Sequence, residues 1–300
     1  MTNNENKKSS LVRDTLLRLG VISDNNIEIF SNSTRDNSNL LVYRDTKSKV
    51  IFIDEYYVGD EEYVTGQYRN KSILQSPSDG ILEDYFDTER RIEKYKQFII
   101  NKKICDFGCG SGNFLHTAKK YADLSCGVEI QENFKNELNK SGIKCVSKVD
   151  ELDDSFDTFF MFHCLEHLPD PSTILKDIHK KLKENKHGRI VVEVPHAKDF
   201  LLDNLNLNSF KNFTLWSQHL ILHTRESLNA ILNDAGFNDI YIESIQRYGI
   251  SNHLYWLKEH LPGGHKMPLS IFETEELRNS YAAALSKIDA NDTLVAVASI

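Results

Sequence analysis

Polar and apolar positions change their spacing twice along the chain. In residues 11–19, positions 11, 12, 15, 16 and 19 (Leu11, Val12, Thr15, Leu16, Leu19) trace one face of a short helix, which Gly20 stops. Three short runs rich in β-formers follow, at 26–30, 39–43 and 49–53, separated by turn-forming residues. Tyr56, Tyr57, Tyr63, Tyr68 and Tyr85 then sit in an acidic stretch without clear period, read as irregular. Residues 88–100 return to helical spacing and carry Arg90 and Arg91. The first seven or eight residues are polar and expected to be mobile. Residues 1–87 are taken as an N-terminal appendage, and 88–300 as the main domain.

From Lys102 onward strand-like and helix-like runs alternate, which predicts an open α/β sheet. The strands are expected at 103–107, 125–129, 144–147, 157–163 and 189–194, with later ones at 239–245 and 292–299. Helices are expected at 113–122, 132–140, 172–182 and 225–235. A long insertion, about 246–291, precedes the last strand and holds helix-like runs at 253–260 and 273–288. Connections of that length inside a compact domain usually serve function.

Composition narrows the picture. The 300 residues are 40% hydrophobic, enough for a sizeable core, so global disorder is excluded. Lys and Arg number 36 against 44 Asp and Glu, a formal net charge of −8. An acidic chain without a basic cluster is a poor grip for nucleic acid. No apolar run is long enough to cross a membrane, and the polar start lacks the apolar core of a signal peptide. A soluble, cytoplasmic protein is expected. The five cysteines (Cys105, Cys109, Cys126, Cys145, Cys164) are odd in number and never spaced C-x-x-C, so they read as buried small hydrophobes.

Candidate chemistry begins at Ile104-Cys-Asp106-Phe-Gly108-Cys-Gly110-Ser-Gly112-Asn113-Phe114. A buried strand ends at Asp106, glycines follow at alternate positions, and a helix starts. Glycines let the backbone turn tightly against a ligand, and the helix N-terminus adds free N–H groups. Gly127-Val-Glu129-Ile130 ends the next strand, and Glu129 lies 23 positions after Asp106, where an acid can bind both hydroxyls of a ribose. The dinucleotide fingerprint is G-x-G-x-x-G, whereas the spacing here is G-x-G-x-G. A carboxylate beside the loop suits an ammonium group and repels a pyrophosphate. S-adenosylmethionine is therefore favoured over NAD(P).

These motifs, together with Phe156-Asp157 and His163-Cys-Leu-Glu166-His167-Leu-Pro-Asp170-Pro171, resemble class I S-adenosylmethionine-dependent methyltransferases over about residues 90–245. The resemblance implies a Rossmann-like seven-stranded sheet whose last strand is antiparallel, with the appendage and the insertion added. It assigns Asp106, Gly108 and Gly110 to the methionine side of the cofactor, Glu129 to the ribose and Val149-Asp150 to the adenine, and counts Asn113 and Ile130 among the cofactor-binding residues. Phe162 and His163 then end the fourth strand beside the reactive methyl.

His163, Glu166 and His167 share a face if one helical turn follows the strand, a constellation suited to acid–base work or a metal. Quinone-precursor O-methyltransferases and RNA 3′-end methyltransferases of this class hold a metal in that loop. The quinone-type enzymes carry an acid where this chain has His163, so no metal is assigned. After the fifth strand, Gln218-His219 resembles a pair in sugar C-methyltransferases, whose histidine is the proposed base. Thr224 caps the next helix, and His196 and His223 are weaker site candidates. The front segment resembles that of bacterial methyltransferases of surface-polysaccharide and natural-product pathways. Zinc-binding cysteines found there in sugar C-methyltransferases are missing, since no cysteine precedes Cys105.

The resulting expectation is methyl transfer to a small polar acceptor. Oxygen of a sugar or sugar-linked metabolite is favoured, with His219 or His163 as base assisted by Glu166 and His167. Alternatives are a metal-dependent O-methyltransferase using His163, Glu166 and His167, a sugar C-methyltransferase, and a non-catalytic cofactor-binding partner subunit. Tyr56, Tyr57, Tyr63 and Tyr68 suit either a cover over the cofactor or a plain structural role, and His253, Tyr255, Trp256 and His260 of the insertion either close the acceptor pocket or make core.

Overall fold

The structure is a computed structural model and describes residues 11–65, 77–182 and 188–300. The expected mobile N-terminus and Tyr68 lie outside the described residues.

The central layer is a seven-stranded sheet. Its strands are β4 (Lys103–Phe107), β5 (Leu124–Val128), β6 (Lys144–Val146), β7 (Thr158–Phe162), β8 (Arg189–Pro195), β10 (Asn238–Ile245) and β11 (Thr293–Ser299), in the order β10-β11-β8-β7-β4-β5-β6. β4 through β8 pair in parallel, and β11 runs antiparallel to both β8 and β10. The expected architecture is the one observed. The inner strands read as nearly continuous apolar runs because helices cover both faces. Phe159 and Met161 of β7 join one core cluster while Phe160 joins the other, and all three are fully buried. Each such side chain contributes roughly 1.5–3 kcal/mol by burial. The chain reverses its direction of travel at β4, with β5 on one side and β7 on the other, which opens a crevice at the C-terminal ends of these strands.

Helices at Asn113–Ala118, Glu132–Lys140, Pro171–Lys181 and Arg225–Asp234 fill the expected positions. Asp170 caps the third by accepting from the Thr173 N–H at 3.2 Å, and Thr224 with Ser227 forms a capping box on the fourth.

Three features differ from expectation. The helix expected at 88–100 starts at Pro77 and ends at Tyr95, so Tyr85 is helical rather than irregular. Proline suits a first helical turn, and the exposed Tyr85 and Phe86 leave that half without an apolar stripe to read. Residues 60–65, also in the stretch read as irregular, form a short helix. Finally, β1 (Ile27–Ser31), β2 (Val42–Asp45) and β3 (Ile51–Ile53) are joined by β9 (Ile221–Leu222) into a four-stranded antiparallel sheet. A two-residue strand has no period, so it could not be read from the sequence.

The five cysteines are free, and no described helix is long and apolar enough to cross a membrane.

Candidate active site

β4 ends at Phe107 and the chain turns through Gly108, Gly110 and Gly112 with φ of 74°, 53° and 76°, a left-handed path that side chains resist. A Cβ on Gly108 would stand 2.6 Å from Cys164 Sγ. Glu129, just past β5, accepts the Gly110 N–H through Oε2 and the Gln131 N–H through Oε1, both at 2.8 Å. The carboxylate thus ties the glycine loop to the neighbouring strand end. These elements border a cleft of about 700 Å³ lined by Gly108, Glu129, Ile130, Val149, Asp150 and His163, among others.

Asp106 is buried at the base of this loop, and burial pushes its carboxyl up to about 8 although Arg91 pulls the other way. A bound cation would restore its charge. The left-handed glycines leave room for a ligand, Glu129 stands on the cleft wall, and Asp106 is a carboxyl in need of a cation. That donor set fits S-adenosylmethionine, which carries an ammonium group and a ribose. Asp106, Gly110, Asn113 and Phe162, also expected on the cofactor, do not line the cleft. Phe162 instead packs with Phe114 at 5.0 Å under the guanidinium of Arg91 at 4.3 Å.

A second cavity of about 450 Å³ lies on the other side of His163 and His167, which line both. It also takes in Glu166, His196, His219, Arg247, His253 and Trp256. Its walls come from the end of β7, the segment after β8, residues 210–222 and the insertion. His253 and Trp256 of the insertion line it, while Tyr255 and His260 do not. His223 lines neither cavity and instead contacts Ser227 Oγ at 3.2 Å.

His163 has φ 50°, and its N–H is held by the Glu193 carbonyl at 2.8 Å. Its Nδ1 lies 3.6 Å from Glu166 Oε1, and its Nε2 stands 3.3 Å from Glu193 Oε1 without hydrogen-bond geometry. Burial and Arg247 pull the imidazole down, but Glu166 and Glu193 outweigh them and hold it above its ordinary value. Glu166 is 1% exposed, yet the histidines around it overcome burial and keep it ionised, at about 2. Glu193 is fully buried and pairs with Arg90 and Arg91, each at 2.7 Å. No motif pointed to Glu193. The signal available was a lone acid inside the apolar run Ile190-Val-Val-Glu193-Val.

The expected single turn after β7 is present as a 3₁₀ turn, Leu165–His167. His167 Nδ1 donates to the Gln218 carbonyl at 2.8 Å, and its ring lies 5.1 Å from that of His219. Burial, aided by His167, pushes His219 down to about 3, so its ring is neutral. His219 Nδ1 is buried and has no hydrogen-bond partner among the described residues, and the same holds for Glu166 Oε2. One atom each of Glu166, His167 and His219 lie within 4.8 Å of one another, a geometry that could hold a metal ion. The sequence placed His163 in that role; the structure groups His219 instead.

The open sheet with its antiparallel last strand, and the cleft at the ends of β4 and β5, define the class: a class I S-adenosylmethionine-dependent methyltransferase domain. The family described as a methyltransferase domain matches residues 83–242, and the chain belongs to it. Among curated proteins, a tRNA U34 carboxymethyltransferase of Sulfurimonas denitrificans is 30% identical over 126 residues, 36% of this chain and 42% of that protein. The chain thus matches less than half the length of that relative. Among solved structures, a methyltransferase of Archaeoglobus fulgidus superposes with a TM-score of 0.50 at 21% identity, over 72% of this chain and 94% of that one. The 1,6-didemethyltoxoflavin-N1-methyltransferase of Burkholderia thailandensis does so with 0.50 at 15% identity, over 83% and 94%.

Proposed function

We propose that the protein transfers a methyl group from S-adenosylmethionine to a small polar acceptor, an oxygen of a sugar or sugar-linked metabolite, with His219 as the base. The observation that carries this reading is the meeting of the two cavities at His163 and His167, with His219 on the acceptor side. Gly108, Glu129 and Val149-Asp150 would hold the cofactor, with Asp106 beneath its ammonium. S-adenosylmethionine supplies, when bound, an electrophilic methyl on a sulfonium. The acceptor hydroxyl gives its proton to the neutral imidazole of His219 as its oxygen takes the methyl from the sulfonium, and the charge of Glu166 stabilises the imidazolium formed. Trp256 and Phe213, 5.2 Å apart, offer aromatic surface for the apolar face of a sugar ring.

The curated relative is named for tRNA, but an acidic chain and a cavity lined by histidines and aromatics favour a small acceptor. In this reading the segment before residue 88 covers the cofactor. Tyr57 and Tyr63 stack at 6.1 Å beside the cleft, and Tyr63 meets His167 edge-on at 6.2 Å. The test is His219→Gln, assayed for transfer to a panel of sugars and nucleotide sugars and for S-adenosylhomocysteine binding by calorimetry. Transfer falling by about 10²–10⁴ with binding retained supports the base; unchanged transfer removes it.

A second reading is favoured by one observation, the Glu166–His167–His219 cluster. A divalent metal held there would polarise the acceptor oxygen. Under it, EDTA abolishes transfer, Mn²⁺ or Mg²⁺ restores it, and Mn²⁺ titration gives a binding isotherm that His219→Gln eliminates.

A further inference from the structure

The loop that carries His219 is held by its own domain, where the Leu220 N–H donates to the Glu166 carbonyl at 2.8 Å and His167 Nδ1 to that of Gln218, and also by the N-terminal appendage. Asp36 Oδ1 accepts the Ser217 N–H at 3.0 Å, and Asp36 Oδ2 accepts the Ser217 hydroxyl at 2.6 Å. Thr34 Oγ1 donates to Oδ1 at 2.9 Å and fixes the carboxylate from behind. The neighbouring Arg35 donates its N–H to the Leu215 carbonyl at 2.8 Å, and its guanidinium stacks 4.3 Å over the Trp216 ring. Trp216 in turn meets His219 edge-on at 5.3 Å, and its carbonyl accepts the His219 N–H at 2.9 Å. On the far side of His219, the Ile53 N–H donates to the Leu220 carbonyl at 3.0 Å, and β3 pairs with β9. Residues 215–222 are therefore held at both ends by residues 35–53.

Hydrogen bonds to a carboxylate are among the stronger and more directional contacts in a protein. Ser217 is 2% exposed, so its N–H and hydroxyl have no water to turn to if Asp36 is removed. Trp216 and Ser217 set the turn that aims His219, so the appendage fixes the imidazole without touching either cavity through Asp36 or Arg35.

We infer that Asp36 is a positioning residue for His219, and that the N-terminal strands brace the acceptor wall from behind. The functional weight of this inference rests on His219 acting at the acceptor, as proposed above; the positioning itself does not.

The test needs no acceptor. Protein labelled with ¹⁵N-histidine gives long-range ring correlations at fixed pH, and the His219 signal is the one lost in His219→Gln. Asp36→Ala is expected to move that signal while S-adenosylhomocysteine binding stays within about two-fold, since the cofactor cleft shares no partner with Asp36. Asp36→Asn keeps one acceptor oxygen and is expected to restore most of the wild-type position. Arg13→Ala, which breaks the Arg13–Asp24 and Arg13–Asp54 pairs elsewhere in the appendage, is expected to leave it unmoved. Ser217→Ala removes only the hydroxyl and replaces Asp36→Ala should that variant not fold. A His219 signal unchanged by Asp36→Ala or Ser217→Ala overturns the inference, as does an equal shift with Arg13→Ala. Unchanged methyl transfer in His219→Gln sinks the base reading alone and leaves the positioning result standing.

Discussion

The two cavities share His163 and His167 but are built by different means. The cofactor cleft is walled largely by one stretch of chain, 107–181, and its tightest features are backbone: left-handed glycines and two N–H groups on Glu129. The second cavity, the proposed acceptor site, gathers residues from 163 to 293 and is lined by histidines, acids and aromatic rings. Asp87, Arg90, Arg91, Glu193 and Arg247 form one ion-pair network behind His163, and Arg247 carries it to the wall of this cavity. A backbone-built cleft tolerates little change in shape but much change in side chains. A side-chain-built cavity can be respecified by substitution, provided its buried charges stay paired.

The largest expected effect probes that proviso. Glu193→Ala strands Arg90 and Arg91 without their shared partner, and should cost about 3–5 kcal/mol of stability. Chemical denaturation measures this, and a loss under 1 kcal/mol would mean the network is not essential to the acceptor side. Next, Gly108→Ala forces a Cβ into a left-handed position and against Cys164 Sγ. S-adenosylhomocysteine should bind roughly 10–100-fold more weakly, from about 1–3 kcal/mol of strain, while the His219 ring signal stays put.

A third test concerns Asp106, whose folded value is raised to about 8 by burial. The unfolded carboxyl ionises near 3.9. The native state therefore holds a proton that the unfolded chain has lost, so this group's contribution to stability falls as pH rises from about 4 to 8. A cofactor ammonium reverses the preference, so binding at pH 6.5 should release up to one proton. Calorimetry in buffers of different ionisation enthalpy reads this directly. The release should vanish above pH 9 and in Asp106→Asn. The smallest effect marks the border of the acceptor cavity: His223→Gln should cost about 1 kcal/mol of stability through the Ser227 contact and leave transfer unchanged. A large loss of transfer would bring His223 inside the site.

The same contrast explains how much the sequence disclosed. The parallel strands, their helices and the antiparallel last strand were legible because period and length carry them. Gly108, Glu129, Ile130 and Val149 were legible because the cleft is made of contiguous motifs. Glu193, Arg91 and Asp36 were not, since each matters through a partner distant in sequence. Asp36 and Ser217 are 181 positions apart, and no local pattern joins them. The place of Phe162 follows from alternation, which fixes the face of β7 a side chain takes: position 162 shares the face of Phe160 and packs against Phe114. Likewise β9 is too short to announce itself, and only its pairing with β3 gives it meaning.

That short strand also orders events in time. Until Ile221 and Leu222 leave the ribosome, the β1–β3 hairpins present β3 as an open edge, which is a template for pairing with other chains. At 5–20 residues per second the wait is on the order of 10–40 s. The charged neighbours of β3, Lys47 and Lys49 before it and Asp54 and Glu55 after it, are well placed to discourage mispairing meanwhile. Chains truncated before residue 220 and released should therefore be the aggregation-prone species of this protein, and released chains that include Ile221 and Leu222 the first to be safe from it.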